Sequence, residues 1–112
     1  MNKTCVIGRI VREVDIKDIG DNHQVLNNTI AVQRLYKTNG EDQADFIPFT
    51  AWNKTAELIS AHCSKGDLIG LTGRMQSRSY TNKTEEKVYV IEMAVEEIQF
   101  LQTKKEKQAL VF

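Results

Sequence analysis

Phe46-Ile47-Pro48-Phe49-Thr50-Ala51-Trp52-Asn53-Lys54 and, downstream, Gly73-Arg74-Met75-Gln76-Ser77-Arg78-Ser79-Tyr80 are the two stretches that decide how this chain folds. Both alternate like strands, whose side chains point to opposite faces with period two. The first run places Phe46, Pro48, Thr50 and Trp52 on one face, and Ile47, Phe49 and Ala51 on the other. The second places Arg74, Gln76, Arg78 and Tyr80 on one face and Met75 on the other. A face that carries rings beside arginines fits stacked, unpaired nucleic-acid bases, with cations meeting the phosphates. Parity alone also allows Phe46 and Trp52 to be core residues, since aromatic side chains are commonly buried.

Working outward, the chain divides into strand-like runs separated by polar loops, with a single proline, as in a small β-rich fold. The first strand is expected over about residues 3–11, followed by a loop over residues 13–23. A second strand covers residues 25–33, and Lys37-Thr38-Asn39-Gly40-Glu41-Asp42 has hairpin-turn chemistry. The third strand is residues 44–52. One short helix follows at residues 54–63, with Asn53 or Thr55 as candidate cap, Gly66 as its stop, and an apolar face of Leu58, Ile59 and Cys63. A fourth strand at residues 67–79 and a fifth at residues 88–100 flank the turn-rich loop at residues 81–86. Gly70 and Gly73 suit a bend or bulge where a barrel turns a corner. The expected fold is therefore all-β: a five-stranded OB-fold barrel with one short helix between strands three and four. Residues 1–101 are expected to form the domain and residues 102–112 a short C-terminal tail.

Length and composition bound the rest. A chain of 112 residues is one domain. At 41% hydrophobic and 27% charged residues it is ordinary globular material rather than a disordered chain. No apolar run is long enough to span a membrane, and the N-terminus lacks a signal-peptide stretch, so a cytoplasmic location is expected. Cys5 and Cys63 are read as reduced core thiols. No Cys/His metal spacing occurs, and no cofactor is expected. The net charge is zero, so any basic track must come from uneven distribution: residues 74–83 hold Arg74, Arg78 and Lys83 and no acid.

The ordered set of motifs resembles the bacterial and phage single-stranded DNA-binding proteins. It comprises Val6-Ile7-Gly8-Arg9, Thr29-Ile30-Ala31-Val32-Gln33-Arg34, Ala51-Trp52-Asn53-Lys54-Thr55-Ala56-Glu57, Ser64-Lys65-Gly66-Asp67-Leu68-Ile69, Gly73 to Tyr80, and Val88-Tyr89-Val90. The resemblance runs over about residues 2–101. It implies an OB fold, usually a homotetramer, that binds single-stranded DNA with little sequence preference in replication, repair and recombination. By position it implies base stacking on Tyr36, Phe46, Trp52 and Tyr80. It implies phosphate contacts from Arg34, Lys54, Arg74, Arg78 and Lys87. Arg34 and Tyr36 share parity with the core-like Ile30 and Val32, so both are expected on a hairpin that twists away from the barrel beyond Gln33.

Three features depart from the family. The first long loop reads Glu13-Val14-Asp15-Ile16-Lys17, without the family's frequent proline. Pro48 stands mid-strand and is expected at the open edge of the barrel. The long tail with an acidic tip, which recruits replication and recombination proteins in the family, is missing, and Lys104, Lys105 and Lys107 outweigh Glu106.

Two other classes fit the sequence less well. A dimeric OB module that binds proteins has no need of four rings beside arginines. An enzyme lacks its residues: His62 and Cys63 are helix neighbours about 100° apart, with no acid to orient them. Glu92, Glu96 and Glu97 make no acid/base or metal set. The expected chain is not an enzyme.

Overall fold

The computed structural model describes residues 1–103. Six strands and one helix follow in order: β1 (Thr4–Ile10), β2 (Ile16–Asp18), β3 (Gln24–Gln33), β4 (Ala44–Trp52), α1 (Asn53–His62), β5 (Leu68–Thr81) and β6 (Lys87–Gln102). The strands form one sheet in the order β1-β5-β6-β4-β3-β2, and a further β1–β3 pairing closes it into a ring. The five long strands and the helix before the fourth of them are the expected OB layout. Expected and observed strand ends differ by at most two residues.

Alternation explains the core. Ile10 from β1, Leu26 and Ile30 from β3, Phe49 and Ala51 from β4, Ile69 and Leu71 from β5, and Met93 and Val95 from β6 are buried. Each burial of a Leu, Ile or Phe side chain is worth about 1.5–3 kcal/mol against exposure. Helix α1 covers the ring with Ala56, Ile59 and, just past its end, Cys63.

Two glycines permit the closure. A side chain on Gly8 would drive into the Ala31 backbone, where β1 crosses from β5 to β3. One on Gly73 would drive into the Ala94 carbonyl. Gly73 also marks a bulge: it pairs with Val95 while Thr72 pairs with Glu97, so Glu96 is an extra residue. One inserted residue flips every side chain beyond it to the other face. The inward residues of β6 accordingly change from Met93 and Val95 to Ile98 and Phe100. Gly70 makes only ordinary contacts and needs no such explanation.

Both hairpin turns obey local chemistry. Thr38 and Glu41 exchange backbone hydrogen bonds around Asn39 and Gly40, whose φ values are 54° and 77°, the two positive φ of a type I′ turn. In the β5–β6 turn the Asn82 Oδ1 accepts the backbone N–H groups of Thr84 and Glu86.

Several expectations are corrected. The loop at residues 13–23 contains β2, which pairs with Val25 and its neighbours because Ile16 packs on the core. Neither Asn53 nor Thr55 caps the helix: Trp52 is the N-cap residue and makes no side-chain cap bond. The Asn53 Oδ1 instead accepts the Gln24 N–H at 2.9 Å. The helix ends at Cys63, and Gly66 serves the turn after it, its N–H bonding the Ile10 carbonyl. Leu58 is exposed and Ala56 takes its place on the apolar face. Cys5 is exposed because it shares the outward parity of β1 with Ile7 and Arg9; Cys63 is buried, and neither is in a disulfide. His62 packs its ring against Phe100, with centroids 5.2 Å apart. Gln102 still belongs to β6 and Thr103 is buried. The rest of the expected tail, including Lys104, Lys105, Glu106 and Lys107, lies outside the described residues.

Candidate nucleic-acid interface

Phe46 and Trp52 settle the question that parity left open. They are 65% and 47% exposed, while Phe49 and Ala51, one step out of phase, are buried. Register carries their face across the sheet. Trp52 lies opposite Val25, Thr50 opposite Asn27, Pro48 opposite Thr29 and Phe46 opposite Ala31. Directly opposed residues share a face. Thr50 also pairs with Ala94 of β6, and Ala94 with Arg74 of β5. Asn27, Thr50, Ala94 and Arg74 thus form one row over four strands. Further along β5, on the same parity, come Gln76, Arg78 and the half-exposed Tyr80.

Pro48 stands where the expectation put it. β4 pairs with β6 only at Phe49 and Thr50, so the missing N–H of Pro48 falls outside that short parallel contact.

The row is threaded by a polar network. The Glu92 side chain, 5% exposed, accepts the Arg78 Nε–H at 2.9 Å and the Gln76 amide at 3.1 Å through Oε1. Its Oε2 lies 3.1 Å from the Thr50 hydroxyl, which is also 2.7 Å from the Asn27 Oδ1. A hydroxyl has one proton to give, so Thr50 links the two groups rather than donating to both. Sequence reading passed over Glu92 because it sought acid/base pairs; the signal was the register that sets it opposite Gln76 and beside Arg78.

The remaining basic residues divide. Arg74 and Lys54 are exposed and have no ion-pair partner among the described residues. Lys54 stands on the first turn of α1, two residues from Trp52. Arg34 lies beyond the end of β3, as expected, and holds Asp45 at 2.7 Å. That hydrogen bond holds the Asp45 carboxyl below its ordinary range and raises the guanidinium. Asp45 opposes Val32, an inward residue, so this pair is on the reverse of the hairpin from Phe46. Tyr36 is almost fully exposed near the hairpin tip. Lys87 is on the other face of the β5–β6 hairpin from Arg78 and Tyr80, with its Nζ 5.6 Å from the Tyr89 ring centroid. Tyr89, read as packing, is 70% exposed beside exposed Ile91, because the hairpin has outrun the core that its parity would fill.

The described residues contain no cluster of His, Cys, Asp or Glu that could hold a metal, and no helix long and apolar enough to cross a membrane.

Comparison with known proteins places the chain among single-stranded DNA-binding proteins by sequence. The chain is 47% identical over 110 residues to single-stranded DNA-binding protein 1 of Clostridium acetobutylicum, covering 95% of this chain and 98% of that one. It is 36% identical over 109 residues to single-stranded DNA-binding protein B of Bacillus subtilis, with 96% of each chain covered. To the single-stranded DNA-binding protein of Streptococcus pneumoniae serotype 4 it is 39% identical, over 93% of this chain and 67% of that one. The profile of the single-strand binding protein family matches residues 1–101, from before β1 almost to the end of β6, and the chain belongs to that family.

Proposed function

We propose that this chain binds single-stranded DNA across the outward face of β3, β4, β6 and β5, without catalysis and with little sequence preference. The observation that carries the reading is the exposure of Phe46 and Trp52 on one face of a strand whose other face is core. Bases stack on Phe46, Trp52 and Tyr80, with Tyr36 extending the path along the β3–β4 hairpin. Arg74 and Lys54 meet phosphates. Arg34, Arg78 and Lys87 are secondary: two are held by carboxylates and the third faces away. Residues 1–101 form the binding domain. The protein protects single strands during replication, repair and recombination, in the cytoplasm.

A homotetramer belongs to the same reading. Tyr89 and Ile91 on the reverse of the β5–β6 hairpin, and Ile7 on β1, are exposed apolar side chains, and symmetric association is the common way to cover such surface.

The test uses Trp52, the single tryptophan. Its fluorescence falls on titration with oligo(dT), and the light-scattering mass corresponds to four chains with and without DNA. An unchanged signal at saturating oligo(dT), confirmed bound by an independent label, removes Trp52 from the interface.

A further inference from the structure

We infer that Glu92 is a positioning residue of this interface: its buried carboxylate fixes Arg78 and Thr50 in place and cancels the arginine's charge, so that this patch meets the strand as a neutral array and leaves phosphate attraction to Arg74 and Lys54. The inference rests on the reading of the face given above and deepens it.

The geometry is specific. Glu92, on β6, is reached from two other strands: by Thr50 of β4 and by Gln76 and Arg78 of β5. An acid in the middle of a face that takes a polyanion repels it unless neutralised. Arg78 supplies that neutralisation, and its bond runs through Nε, so the terminal amino groups are not used in it. A buried carboxylate that lost its cation would stand uncompensated in a low-dielectric site. The pair therefore stays closed when DNA arrives. The exposed Arg34–Asp45 pair has no such constraint. What the strand meets around Glu92 is a set of fixed donors and acceptors with no net charge: Asn27, Gln76 and the free edge of Arg78, with buried Thr50 holding Asn27 from beneath. Such groups suit base edges and sugars. They release no counterions.

Counterion release separates this from a merely structural role. Each phosphate neutralised on a single strand contributes about 0.7 to the slope of log K against log salt. Oligo(dT) binding is measured between low and moderate salt for wild type, Arg74→Gln, Arg78→Gln, Glu92→Gln and the Arg78→Gln/Glu92→Gln double variant. Arg74→Gln flattens the slope by about 0.7, and Arg78→Gln leaves it near wild type. Glu92→Gln, which keeps an acceptor oxygen for Arg78 and turns an amide N–H towards the Thr50 hydroxyl, still free to donate to Asn27, removes the charge and steepens it by about 0.7. A fourfold dilution of salt then gains about 2.6 times more affinity than in wild type. The double variant returns to the wild-type slope. If Glu92→Gln fails to fold, the Arg78→Gln and Arg74→Gln pair decides alone, since both side chains are largely solvent-facing. Arg78→Gln flattening the slope as much as Arg74→Gln overturns the inference, as does a folded Glu92→Gln with the wild-type slope. Wild type that does not bind oligo(dT) at all overturns the reading of the face itself, and this inference with it.

Discussion

Arg34 and Arg78 each reach a carboxylate at nearly the same distance, 2.7 and 2.9 Å, yet the two pairs are different objects. The Arg34–Asp45 pair rides on the β3–β4 hairpin with both side chains about half exposed. The Arg78–Glu92 pair sits at the root of the β5–β6 hairpin with its acid enclosed by β4, β5 and β6. Water competes for both members of the first pair and for only the arginine of the second. An exposed pair contributes little to stability and gives way readily to another ion. A pair with one buried member is part of the framework, because either partner alone is worse than both. Counting arginines on a surface therefore says less about anion binding than asking which of them are already answered from beneath.

The contrast between the hairpins can be broken most forcefully at their glycines. Gly73→Ala at the root of β5–β6 pushes a methyl into the Ala94 backbone. Backbone cannot rotate aside as a side chain can, so a loss above the usual 1–3 kcal/mol of overpacking is expected, at roughly 3 kcal/mol or more. Gly40→Ala at the tip of β3–β4 has open space around it and only a left-handed φ to tolerate, costing about 1–2 kcal/mol. Urea midpoints measure both. Equal losses would mean that the Gly73 bulge relaxes as easily as a loop.

The ion pairs sharpen the same comparison. Glu92→Ala strips partners from Thr50, Gln76 and Arg78 and is expected to cost about 1–3 kcal/mol, the price of unanswered polar groups. Asp45→Ala should leave the urea midpoint close to wild type, because its ion pair is exposed to water. Similar unfolding free energies for the two would show that burial makes no difference here.

On the binding side, Trp52→Ala should weaken oligo(dT) binding by about 1–3 kcal/mol for the base it stacks. Trp52→Phe should lose less because a ring remains. Its exposed indole implies a small effect on folding, so thermal unfolding near wild type together with lost affinity is the expected pattern. Wild-type affinity in Trp52→Ala would place the strand elsewhere.

The smallest effect is one of titration. The hydrogen bond from Arg34 lowers the Asp45 pKa. The pair's small contribution is therefore present above the unfolded carboxylate pKa and is lost as pH falls through the lowered folded value. Carboxyl NMR shifts should show Asp45 titrating below the ordinary carboxylate range, and Arg34→Gln should bring it back up. No movement in that variant would mean that the pair does not persist in solution.

Most of the fold was legible because alternation is strict. In β4 buried Phe49 and Ala51 stand out of phase with exposed Phe46 and Trp52, and the Asn39-Gly40 turn announces itself. β2 was not legible: three residues, with Ile16 alone carrying its packing, offer no period to detect. Tyr89 misled for a different reason. Parity gives a face, but not whether a core still lies beneath it, and the β5–β6 hairpin extends past the core. Within the candidate site the rings were readable, while the state of the arginines was not. Arg78 and Glu92 are 14 residues apart in sequence and become neighbours only through the hairpin register. Arg34 finds Asp45 across the other hairpin in the same way.

Glu96, the extra residue in β6, divides that strand into two stretches that obey opposite rules about which positions must stay apolar. Before it the odd-numbered Met93 and Val95 face the interior; after it the even-numbered Ile98 and Phe100 do. Changes of polarity at the hairpin end therefore do not have to be matched in the half that closes the ring. Such a strand lets the hairpin end drift in chemistry across generations while the closure of the ring stays as it was.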